Sequence, residues 1–457
     1  MENLTMDKLV SHCKNTGIVY PGSDIYDGLA NTWDYGPVGV ELKNNIKRAW
    51  WKRFVQESEN SYGVDAAILM NPRVWEASGH VASFTDPKMD CKRCKTRMRA
   101  DNLIEAHSKG SVNADAMSNE EMEAYIQEHQ VKCPTCGNFD WTPIRQFHLM
   151  FQTSRDITGG KDDVIYLRPE TAQGEFVNFM NVQRTTRAKV PFGIGQIGKA
   201  FRNEITPGNF TFRTIEFEQM EHQMFCKNEE AGFDFYAKYK KEAYDFLIDL
   251  GFNKDHLNYK DHEKLAHYAK AACDITFKYP FGWNELNGIH YRTDYDLSRH
   301  QEYSGKNMLY IDPVTNEKYI PHVVEYSIGA DRLTLAVLCE FYDEEKLEGG
   351  DTRVVYRLHP AIAPYKVAVL PLQKNMSEKA REIYKKLAKH FMCTYDEAGS
   401  IGKRYRRQDQ IGTPFCVTID FDTLEDGTVT IRDRDTMEQK RISVDELISF
   451  VNEKIAF

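Results

Sequence analysis

Residues 198–225 combine arginines, carboxylates and aromatic rings at spacings that suit the binding of a nucleotide and an amine. Their sequence, GKAFRNEITPGNFTFRTIEFEQMEHQMF, predicts two strands joined by a turn at 207–209. Side chains two residues apart share one face of a strand, so Arg202 and Glu204 would lie together on the first strand. An arginine fork suits a phosphate, an aromatic ring suits a base, and carboxylates suit an amine. One face of the second strand would carry Arg213, Ile215, Phe217, Gln219 and Glu221.

A second chemical motif is EYSIGADRLTLAVL, residues 325–338, in which a glycine precedes an arginine at a predicted helix start. Gly329 would allow a nucleotide to approach the backbone, and Arg332 would cover a flat base or reach a triphosphate. Alone, this pattern is more often an ordinary capped helix start. Single charged residues of 198–225 would likewise more often be the solvated side chains of an amphipathic hairpin.

Both segments resemble motifs of the class II aminoacyl-tRNA synthetases. Residues 201–221 contain, in order, the F-R-x-E strand, the loop and the R-x-x-x-F-x-x-x-E strand of motif 2, and residues 325–338 resemble motif 3. The helix IKRAWWKRF followed by VDAAILMNPRVW, a predicted strand that ends at Pro72, resembles motif 1 at the dimer interface of that class. Four stretches resemble the dimeric glycyl-tRNA synthetase family, and with them the resemblance covers nearly the whole chain: YPGSDIYDGLANTWDYGPVGVELKNNI, VWEASGHVASFTDP, LRPETAQGEFVNF and EFEQME.

The resemblance implies an enzyme that activates glycine with ATP and Mg²⁺ and transfers it from glycyl-adenylate to the 3′ end of tRNA(Gly). It assigns catalysis to Arg202, Glu204 and Arg332, and it assigns the magnesium ion to Glu285, a hard oxygen ligand. The residues that it places around glycine are Arg99, Glu170, Phe217, Glu218, Gln219, Met220, Glu221, Glu325, Tyr326, Ser327, Ile328 and Gly329. The ATP contacts that it implies are Arg202, Asn203, Glu204, Phe212, Arg213, Thr214, Ile215, Glu216, Phe217, Glu285, Leu286, Gly329, Ala330, Asp331 and Arg332.

The implied reaction needs little covalent help from the protein. The glycine carboxylate is ionised at neutral pH and attacks the α-phosphorus of ATP without a general base. Arg202 and magnesium would stabilise the charge on the phosphoryl oxygens while the pocket holds the reactants in line. Glutamates would bind the ammonium and fill the space that a β-carbon needs, so we expect no editing domain.

Two positions depart from the family pattern. The family more often has a second arginine where this chain has Ile215, and it often has proline where this chain has Tyr326. The first departure would remove one phosphate or RNA contact. Neither departure removes a residue on which activation depends.

Four of the ten cysteines form two C-x-x-C pairs, Cys91 with Cys94 and Cys133 with Cys136. Four thiolates suit tetrahedral zinc, and the second pair carries the proline and glycine of a zinc-ribbon turn. We therefore predict a structural zinc ion, since four cysteines leave no open position for catalysis. Unliganded thiols in a domain that has lost its metal, and a redox pair, are the alternatives.

The elements that must position these residues divide the chain into four stretches. The resemblance assigns residues 1–86 and 147–350 to one catalytic core, and two-residue alternation within 147–350 indicates an antiparallel sheet. Residues 87–146 form an insertion with the paired cysteines, and residues 364–457 alternate strands and helices. The expected fold class is an α+β class II synthetase core, an antiparallel sheet flanked by helices, with a zinc-ribbon-like insertion and a C-terminal α/β anticodon-binding domain.

Composition fits a folded multidomain protein and decides little about RNA. The 457 residues exceed one compact core, and 41% hydrophobic with 28% charged residues argues against disorder. A net charge of −9 leaves room for a local basic face. No apolar run would span a bilayer and no signal-peptide pattern is present, so we expect a cytoplasmic protein with no membrane partner. The resemblance to a dimeric family implies a homodimer.

Residues 399–412, GSIGKRYRRQDQIG, would by themselves be a solvated basic helix start. Within a domain that resembles an anticodon reader they become a candidate tRNA surface, through phosphate charge and base stacking. The side chains that would form it are Lys403, Arg404, Tyr405, Arg406 and Arg407.

Two other functions compete with this interpretation. A class II enzyme for another amino acid or small acid would keep motifs 2 and 3 but lose the four glycine-family stretches. A zinc-ribbon nucleic-acid-binding or regulatory protein with a dead catalytic domain would lose charged residues such as Arg202, Glu285 and Arg332. This chain has all of them.

Overall fold

The structure is a computed structural model that describes residues 4–114, 117–154, 164–205, 208–266 and 268–457. Its α-helices are α1 (Met6–Asn15), α2 (Pro37–Trp51), α3 (Pro72–Ala77), α4 (His80–Ser83), α5 (Ala100–Ser108), α6 (Asn119–Glu128), α7 (Ala172–Val177), α8 (Phe179–Thr186), α9 (Glu229–Asp249), α10 (Tyr295–Ser304), α11 (Ala330–Glu340), α12 (Ser377–Leu387), α13 (Ile401–Ile411), α14 (Phe421–Asp426) and α15 (Leu447–Lys454).

The strands, in chain order, are β1 (Val19–Pro21), β2 (Trp33–Tyr35), β3 (Ser61–Gly63), β4 (Thr85–Asp90), β5 (Arg97–Arg99), β6 (Arg145–His148), β7 (Gln152–Ser154), β8 (Val164–Tyr166), β9 (Phe192–Phe201), β10 (Glu216–Cys226), β11 (Leu257–Asp261), β12 (Ala271–Tyr279), β13 (Gly282–Thr293), β14 (Tyr310–Ile311), β15 (Lys318–Tyr319), β16 (His322–Gly329), β17 (Tyr342–Lys346), β18 (Thr352–Tyr356), β19 (Val367–Pro371), β20 (Cys393–Tyr395), β21 (Phe415–Ile419), β22 (Thr428–Asp433) and β23 (Gln439–Ser443).

A seven-stranded sheet in the order β11-β12-β13-β16-β10-β9-β3 carries the predicted motifs. Its neighbouring strands are antiparallel, except that β3 runs parallel to β9. Trp50 of α2, Phe246 of α9 and Leu333 of α11 belong to the same apolar core as Met220 of β10. Burial of alternate strand residues against these helices leaves the other face free for polar side chains, as the alternation in the sequence predicts.

The first strand of the predicted hairpin is shorter than expected. β9 ends at Phe201, so Arg202 and Glu204 lie just beyond the strand and not on one face of it. The Arg202 N–H still donates to the Ile215 carbonyl (3.0 Å), after which the Asn203 N–H turns to a carbonyl outside the sheet (2.8 Å). The backbone therefore leaves the sheet at Arg202, so the direction of this side chain is not set by the alternation of the strand.

The second strand also begins later than predicted. β10 starts at Glu216, which leaves Arg213 and Ile215 in the loop before it. The loop contains a short 3₁₀ helix at Phe210–Phe212. Pro207, part of the predicted turn, lies outside the described residues.

The predicted motif 1 helix is confirmed, but its strand lies elsewhere. α2 begins at Pro37 and continues through Lys52–Gln56 as a wider π-helical turn. The strand that follows is β3, upstream of the predicted one. Pro72 opens α3 instead of ending a strand, because the Asn71 side chain accepts from the Arg73 N–H and caps that helix.

The insertion and the C-terminal region each have their own apolar core. The C-terminal sheet has the order β20-β19-β21-β22-β23, with β19 parallel to both β20 and β21 and the last pairs antiparallel. This mixed sheet fits the alternating strands and helices predicted from the sequence. Among the helices that the structure describes, none is both long and apolar enough to cross a membrane.

A buried arginine–aspartate cluster joins the hairpin β17–β18 to the C-terminal region. Asp409 of α13 is fully buried and accepts from Arg432 of β22 (2.9 and 3.0 Å) and from Arg353 of β18 (3.3 Å). Arg353 also donates to the carbonyl of Arg434 (2.9 Å). Both arginines are buried and share Asp409 as a charge partner, and Arg353 also pairs with Glu345 of its own hairpin (2.6 Å).

The predicted basic surface on α13 is smaller than expected. Arg404 is buried and donates to the Pro371 carbonyl (2.6 Å), and the Tyr405 hydroxyl bonds Thr418 (2.6 Å). These two side chains hold the helix on its sheet, Arg404 being buried and Tyr405 half-buried. Only Lys403, Arg406 and Arg407 remain at the surface as candidates for contact with RNA.

Candidate active site

A polar cavity of about 230 Å³ opens on the sheet between β10, β13, β16 and the start of α11. It brings together residues from motifs that are far apart in the sequence. The predicted residues that line it are Glu170, Arg202, Glu204, Phe212, Arg213, Thr214, Phe217, Gln219, Glu221, Glu285, Leu286, Glu325, Ser327, Gly329, Asp331 and Arg332.

Glu221 is the most tightly held carboxylate of the cavity. Ser327 Oγ donates to its Oε1 (2.8 Å), as does Gln219 Nε2 (3.2 Å), and the Thr171 hydroxyl donates to Oε2. Burial and two neighbouring carboxylates raise the pKa of Glu221 to about 7. A cation bound beside it would favour its ionised form, so this part of the cavity suits an ammonium group.

Two further carboxylates of the cavity are ionised. Burial opposes ionisation of Glu170, but its contacts with His80 (3.4 Å between Nε2 and Oε2) and Gln173 and the charge of Arg292 together outweigh burial and lower the pKa. Burial of Glu325 is likewise outweighed by Arg292 (3.2 Å) and by the His290 ring nitrogen (2.9 Å), so its pKa is lowered. The result is a negative region with fixed carboxylates.

Glu175 lies in the helix next to these groups and behaves differently. It is fully buried in α7. Burial, and then the charges of Glu221 and Glu325, raise its pKa well above the ordinary value. These surroundings favour the neutral form of the Glu175 side chain over a charged one.

The other part of the cavity carries arginines and aromatic rings. The Arg202 guanidinium lies 5.3 Å from the centre of the Phe217 ring and 5.5 Å from that of Phe84. Its Nε donates to the Pro169 carbonyl (3.0 Å), which fixes the direction of the fork. No hydrogen bond joins the terminal nitrogens to another described residue, so they can offer a fork to an anion, as a phosphate site requires.

Arg332 and Glu285 form an ion pair at this end of the cavity. Arg332 Nη1 lies 3.0 Å from Glu285 Oε1, and its guanidinium stacks 4.5 Å from the centre of the Phe212 ring. The charge of Arg332 lowers the pKa of Glu285, so that carboxylate is ionised. The pair offers a flat cation for a base or phosphate and a hard oxygen for a divalent metal.

Asp331 lines the cavity, but its oxygens are used by the scaffold. Oδ1 accepts from the Tyr35 hydroxyl (2.8 Å) and from Lys43 Nζ (2.7 Å), and Oδ2 accepts from the Glu218 N–H (2.7 Å). The Glu218 carboxylate itself points to Lys43 (3.1 Å) and Lys47 (3.1 Å) of α2. This network ties α11 and β10 to α2 beneath the site.

Several predicted substrate contacts face away from the cavity. Glu218 and Met220 lie on the opposite face of β10 from Gln219 and Glu221. On β16, Tyr326 and Ile328 point into the apolar core, as does Ala330 at the start of α11. Their side chains cannot line the cavity because alternate strand residues point to opposite faces.

The remaining predicted contacts lie at the edge of the site. Arg99 pairs with Asp86 (3.2 Å) and with Asp101 in the insertion. Ile215 joins the site only through its carbonyl, which accepts from Arg202, and exposed Glu216 pairs with Lys199 on β9. Asn203 is also absent from the lining.

Sequence reasoning missed a row of residues on β13. Gly288, His290 and Arg292 alternate along this strand and line the cavity, beyond a bulge at the predicted Leu286. Two-residue alternation along GIHYR would have placed these three side chains on one face. Thr211 and Tyr268 also line the cavity, but neither belongs to a spacing pattern.

The four paired cysteines converge in the insertion. Cys91 Sγ lies 3.6 Å from Cys136 Sγ, Cys94 Sγ lies 3.6 Å from Cys133 Sγ, and all four sulfurs lie within 4.8 Å of one another. Tetrahedral zinc with Zn–S bonds of about 2.3 Å places sulfurs about 3.8 Å apart. The thiols are thus close to the arrangement that zinc requires.

Comparisons with known proteins agree with the site. Residues 151–342 match the family described as the tRNA synthetase class II core domain (G, H, P, S and T), and residues 366–454 match an anticodon binding domain. The glycine–tRNA ligase of Clostridium kluyveri is 60% identical over 99% of this chain and 99% of its own length. The glycine–tRNA ligase of Geobacillus thermodenitrificans is 60% identical over 99% and 98%. That of Clostridium perfringens is 58% identical over 99% of each chain.

The antiparallel sheet, the cavity on it and the matched core domain define a class II aminoacyl-tRNA synthetase with an anticodon-binding domain. Sequence identity near 60% to glycine–tRNA ligases, along almost the whole length of the chain, then selects one family within this class. The chain belongs to the glycine–tRNA ligase family. The family resemblance and the fold class predicted from the sequence are thereby confirmed.

Proposed function

We propose that the cavity binds glycine beside ATP, forms glycyl-adenylate and passes glycine to the 3′ end of tRNA(Gly). The observation that carries this proposal is the division of the cavity into two parts. Glu170, Glu221 and Glu325 make one part negative, which suits the glycine ammonium, while Arg202 and Arg332 make the other part positive. No covalent intermediate with the protein is needed, because positioning and charge suffice for attack by a carboxylate.

ATP–pyrophosphate exchange with glycine, alanine and serine in parallel tests the proposal. Exchange with glycine and little with the other two amino acids would support it. Equal exchange with alanine or serine would contradict it, because the packed carboxylates would then not be excluding a β-carbon.

The proposed roles follow from position. Arg202 would bind the α-phosphate and stabilise the charge that develops there, with Glu204 beside it. Arg332 and Phe217 would hold the adenine or the outer phosphates. Glu285 is ionised and about half exposed, and it would hold Mg²⁺, which neutralises phosphate charge when bound.

The pKa of Glu221 leads to a prediction about pH. Below about pH 7 this carboxylate takes up a proton and loses its attraction for the ammonium, so kcat/KM for glycine should fall as the pH falls. Initial rates of pyrophosphate exchange between pH 6 and 8 at saturating ATP would measure the effect. A flat glycine profile over that range would contradict a role for Glu221 in binding the ammonium.

The near-tetrahedral thiols support a structural zinc ion held by Cys91, Cys94, Cys133 and Cys136. Protein purified without added zinc should contain about one zinc per chain by metal analysis. Cys94→Ser should lower that content and the melting temperature. Cys273→Ser, which changes a thiol outside the cluster, is the matched control and should keep the metal; a wild-type zinc content well below one would contradict the proposal.

Exposed arginines of α13 support contact with tRNA. Arg406 pairs with Asp351 (2.7 Å) and Arg407 with Asp396 (2.8 Å), but exposed ion pairs of this kind add little stability. Replacing both arginines by Gln should therefore spare glycine-dependent pyrophosphate exchange and lower kcat/KM for tRNA charging by about tenfold. Lys389→Gln, on an exposed turn of the same domain, controls for loss of positive charge. Equal losses in exchange and charging would contradict the assignment.

We also propose that the chain divides into segments 1–86, 87–146, 147–350 and 364–457. It would form a homodimer through the region of α2, and it would be located in the cytoplasm. The separate apolar cores support the division, and the resemblance of α2 to motif 1 supports the dimer. Sedimentation of the purified chain would test the dimer: a single species of one-chain mass at micromolar concentration would contradict it.

A further inference from the structure

Two stretches that pointed to glycine in the sequence meet at one side chain. VWEASGHVASFTDP contributes His80, and LRPETAQGEFVNF contributes both Glu170 and Gln173. Glu170 Oε2 lies 3.4 Å from His80 Nε2, and Gln173 Nε2 donates to Glu170 Oε1 (2.9 Å). Each oxygen of the carboxylate thus has its own partner, one from each stretch.

The Gln173 amide is in turn held from behind by α10. His300 Nε2 lies 2.8 Å from Gln173 Oε1, although the two residues are 127 positions apart. Gln173 is 1% exposed and His300 is 6% exposed, so neither contact competes with bulk water. His300 does not line the cavity of the active site.

The proton positions in this chain follow from the groups present. Burial lowers the pKa of His300, so the ring is neutral and carries one N–H. A carboxylate only accepts, so the Gln173 amide must turn its NH₂ group toward Glu170 and its oxygen toward His300. His300 therefore carries its proton on Nε2 and prevents the amide from flipping, which would set an oxygen against Glu170.

The same helix also holds the second ionised carboxylate. Asp296 of α10 bonds Arg292 through both oxygens (2.8 and 3.0 Å), and Arg292 binds Glu325 (3.2 Å). Helix α10 thus supports two glutamates of the negative region. His300 contacts Glu170 through Gln173, and Asp296 contacts Glu325 through Arg292. Glycine has no side chain to grip, so selection depends on how firmly the groups that bound its space are fixed.

We propose that His300, acting through Gln173, is a positioning residue that fixes Glu170 and thereby sets the affinity and selectivity for glycine. The inference rests on the proposed role of Glu170 in the glycine site. His300 itself does not line the cavity proposed for glycine and ATP, and no sequence pattern distinguishes it.

The test compares two replacements of His300 in the full-length enzyme. His300→Phe keeps the ring but removes the donor, and it should raise the KM for glycine about tenfold. The KM for ATP and kcat should stay within about twofold, because the ATP part of the cavity is untouched. His300→Gln places an amide N–H at similar reach and should restore the wild-type KM, while Tyr303→Phe on the same helix is the control. His300→Phe should also raise exchange with alanine relative to glycine.

A double-mutant cycle with Gln173→Leu decides whether His300 acts through the amide. The double variant should have a KM for glycine no higher than that of Gln173→Leu alone, whereas independent effects would multiply. A wild-type KM in His300→Phe, equal defects in His300→Phe and His300→Gln, or multiplying effects would each overturn the inference. Glu170→Ala distinguishes a failure of the role proposed for Glu170 from a failure of the role proposed for His300. If Glu170→Ala leaves the KM for glycine unchanged, the role of Glu170 itself is contradicted.

Discussion

Arg202→Ala should lower the rate of glycine-dependent pyrophosphate exchange by about 10³-fold, or about 4 kcal/mol of transition-state stabilisation. The guanidinium is held by the Pro169 carbonyl and by two aromatic rings, so its terminal nitrogens are preorganised for the phosphoryl oxygens. Most of the loss should appear in kcat, because the charge that it stabilises develops during the reaction.

Two companion variants sharpen this result. Arg202→Lys keeps the charge but loses the planar fork, and it should recover only a small part of the rate. Arg184→Ala removes an exposed arginine outside the site and should leave exchange unchanged. Full activity of Arg202→Ala, or an equal loss in Arg184→Ala, would contradict the role assigned to Arg202. Circular dichroism would show whether the fold survives the lost contact to Pro169.

Glu221→Gln should raise the KM for glycine by about 10²-fold while the KM for ATP changes little. The replacement has nearly the same shape but cannot become negative, so the ammonium loses its ionised partner. An amide NH₂ would also meet the groups that now donate to the carboxylate, Ser327 and Thr171 among them. Steady-state exchange kinetics with each substrate varied in turn would measure the separation.

Glu175→Gln is a matched control for that experiment, because it replaces another buried glutamate nearby. Burial and the neighbouring carboxylates raise the pKa of Glu175 well above its ordinary value, which favours the neutral carboxylic acid. The change from carboxylic acid to amide keeps that neutrality, and the KM for glycine should remain close to the wild-type value. If both variants bind glycine equally poorly, the loss in Glu221→Gln would come from packing and not from charge.

Most of the residues that line the cavity could be predicted from residue types and their order, because residues such as Arg202, Glu221 and Arg332 occur at the characteristic spacings of the motifs. The prediction also named whole runs of consecutive residues, whose side chains cannot all face the cavity. Gln219 and Glu221 on one face already place Glu218 and Met220 on the other, by the same alternation that predicted the sheet. Applying that rule to each strand would have removed the inward-facing residues and added the missing row on β13.

Other features were beyond reach of a single sequence. Arg404 looks like a surface arginine in a basic stretch, yet it is buried, and a carbonyl on the adjacent strand accepts a hydrogen bond from it. The end of β9 at Phe201 depends on a hydrogen bond made outside the sheet. The contact between His300 and Gln173 links distant segments of ordinary composition. Such facts depend on tertiary packing, which no local spacing encodes.

The buried arginine–aspartate cluster has a mechanical consequence. Asp409 accepts from arginines on both sides of a boundary, so pulling Arg353 away would break a buried ion pair, leaving Arg353 with Glu345 and Asp409 with Arg432. The boundary is therefore stiff where an ordinary linker would bend. A displacement of the C-terminal domain, caused by the binding of a large ligand, would therefore also displace the catalytic half. For the same reason the two halves should unfold together in one cooperative thermal transition.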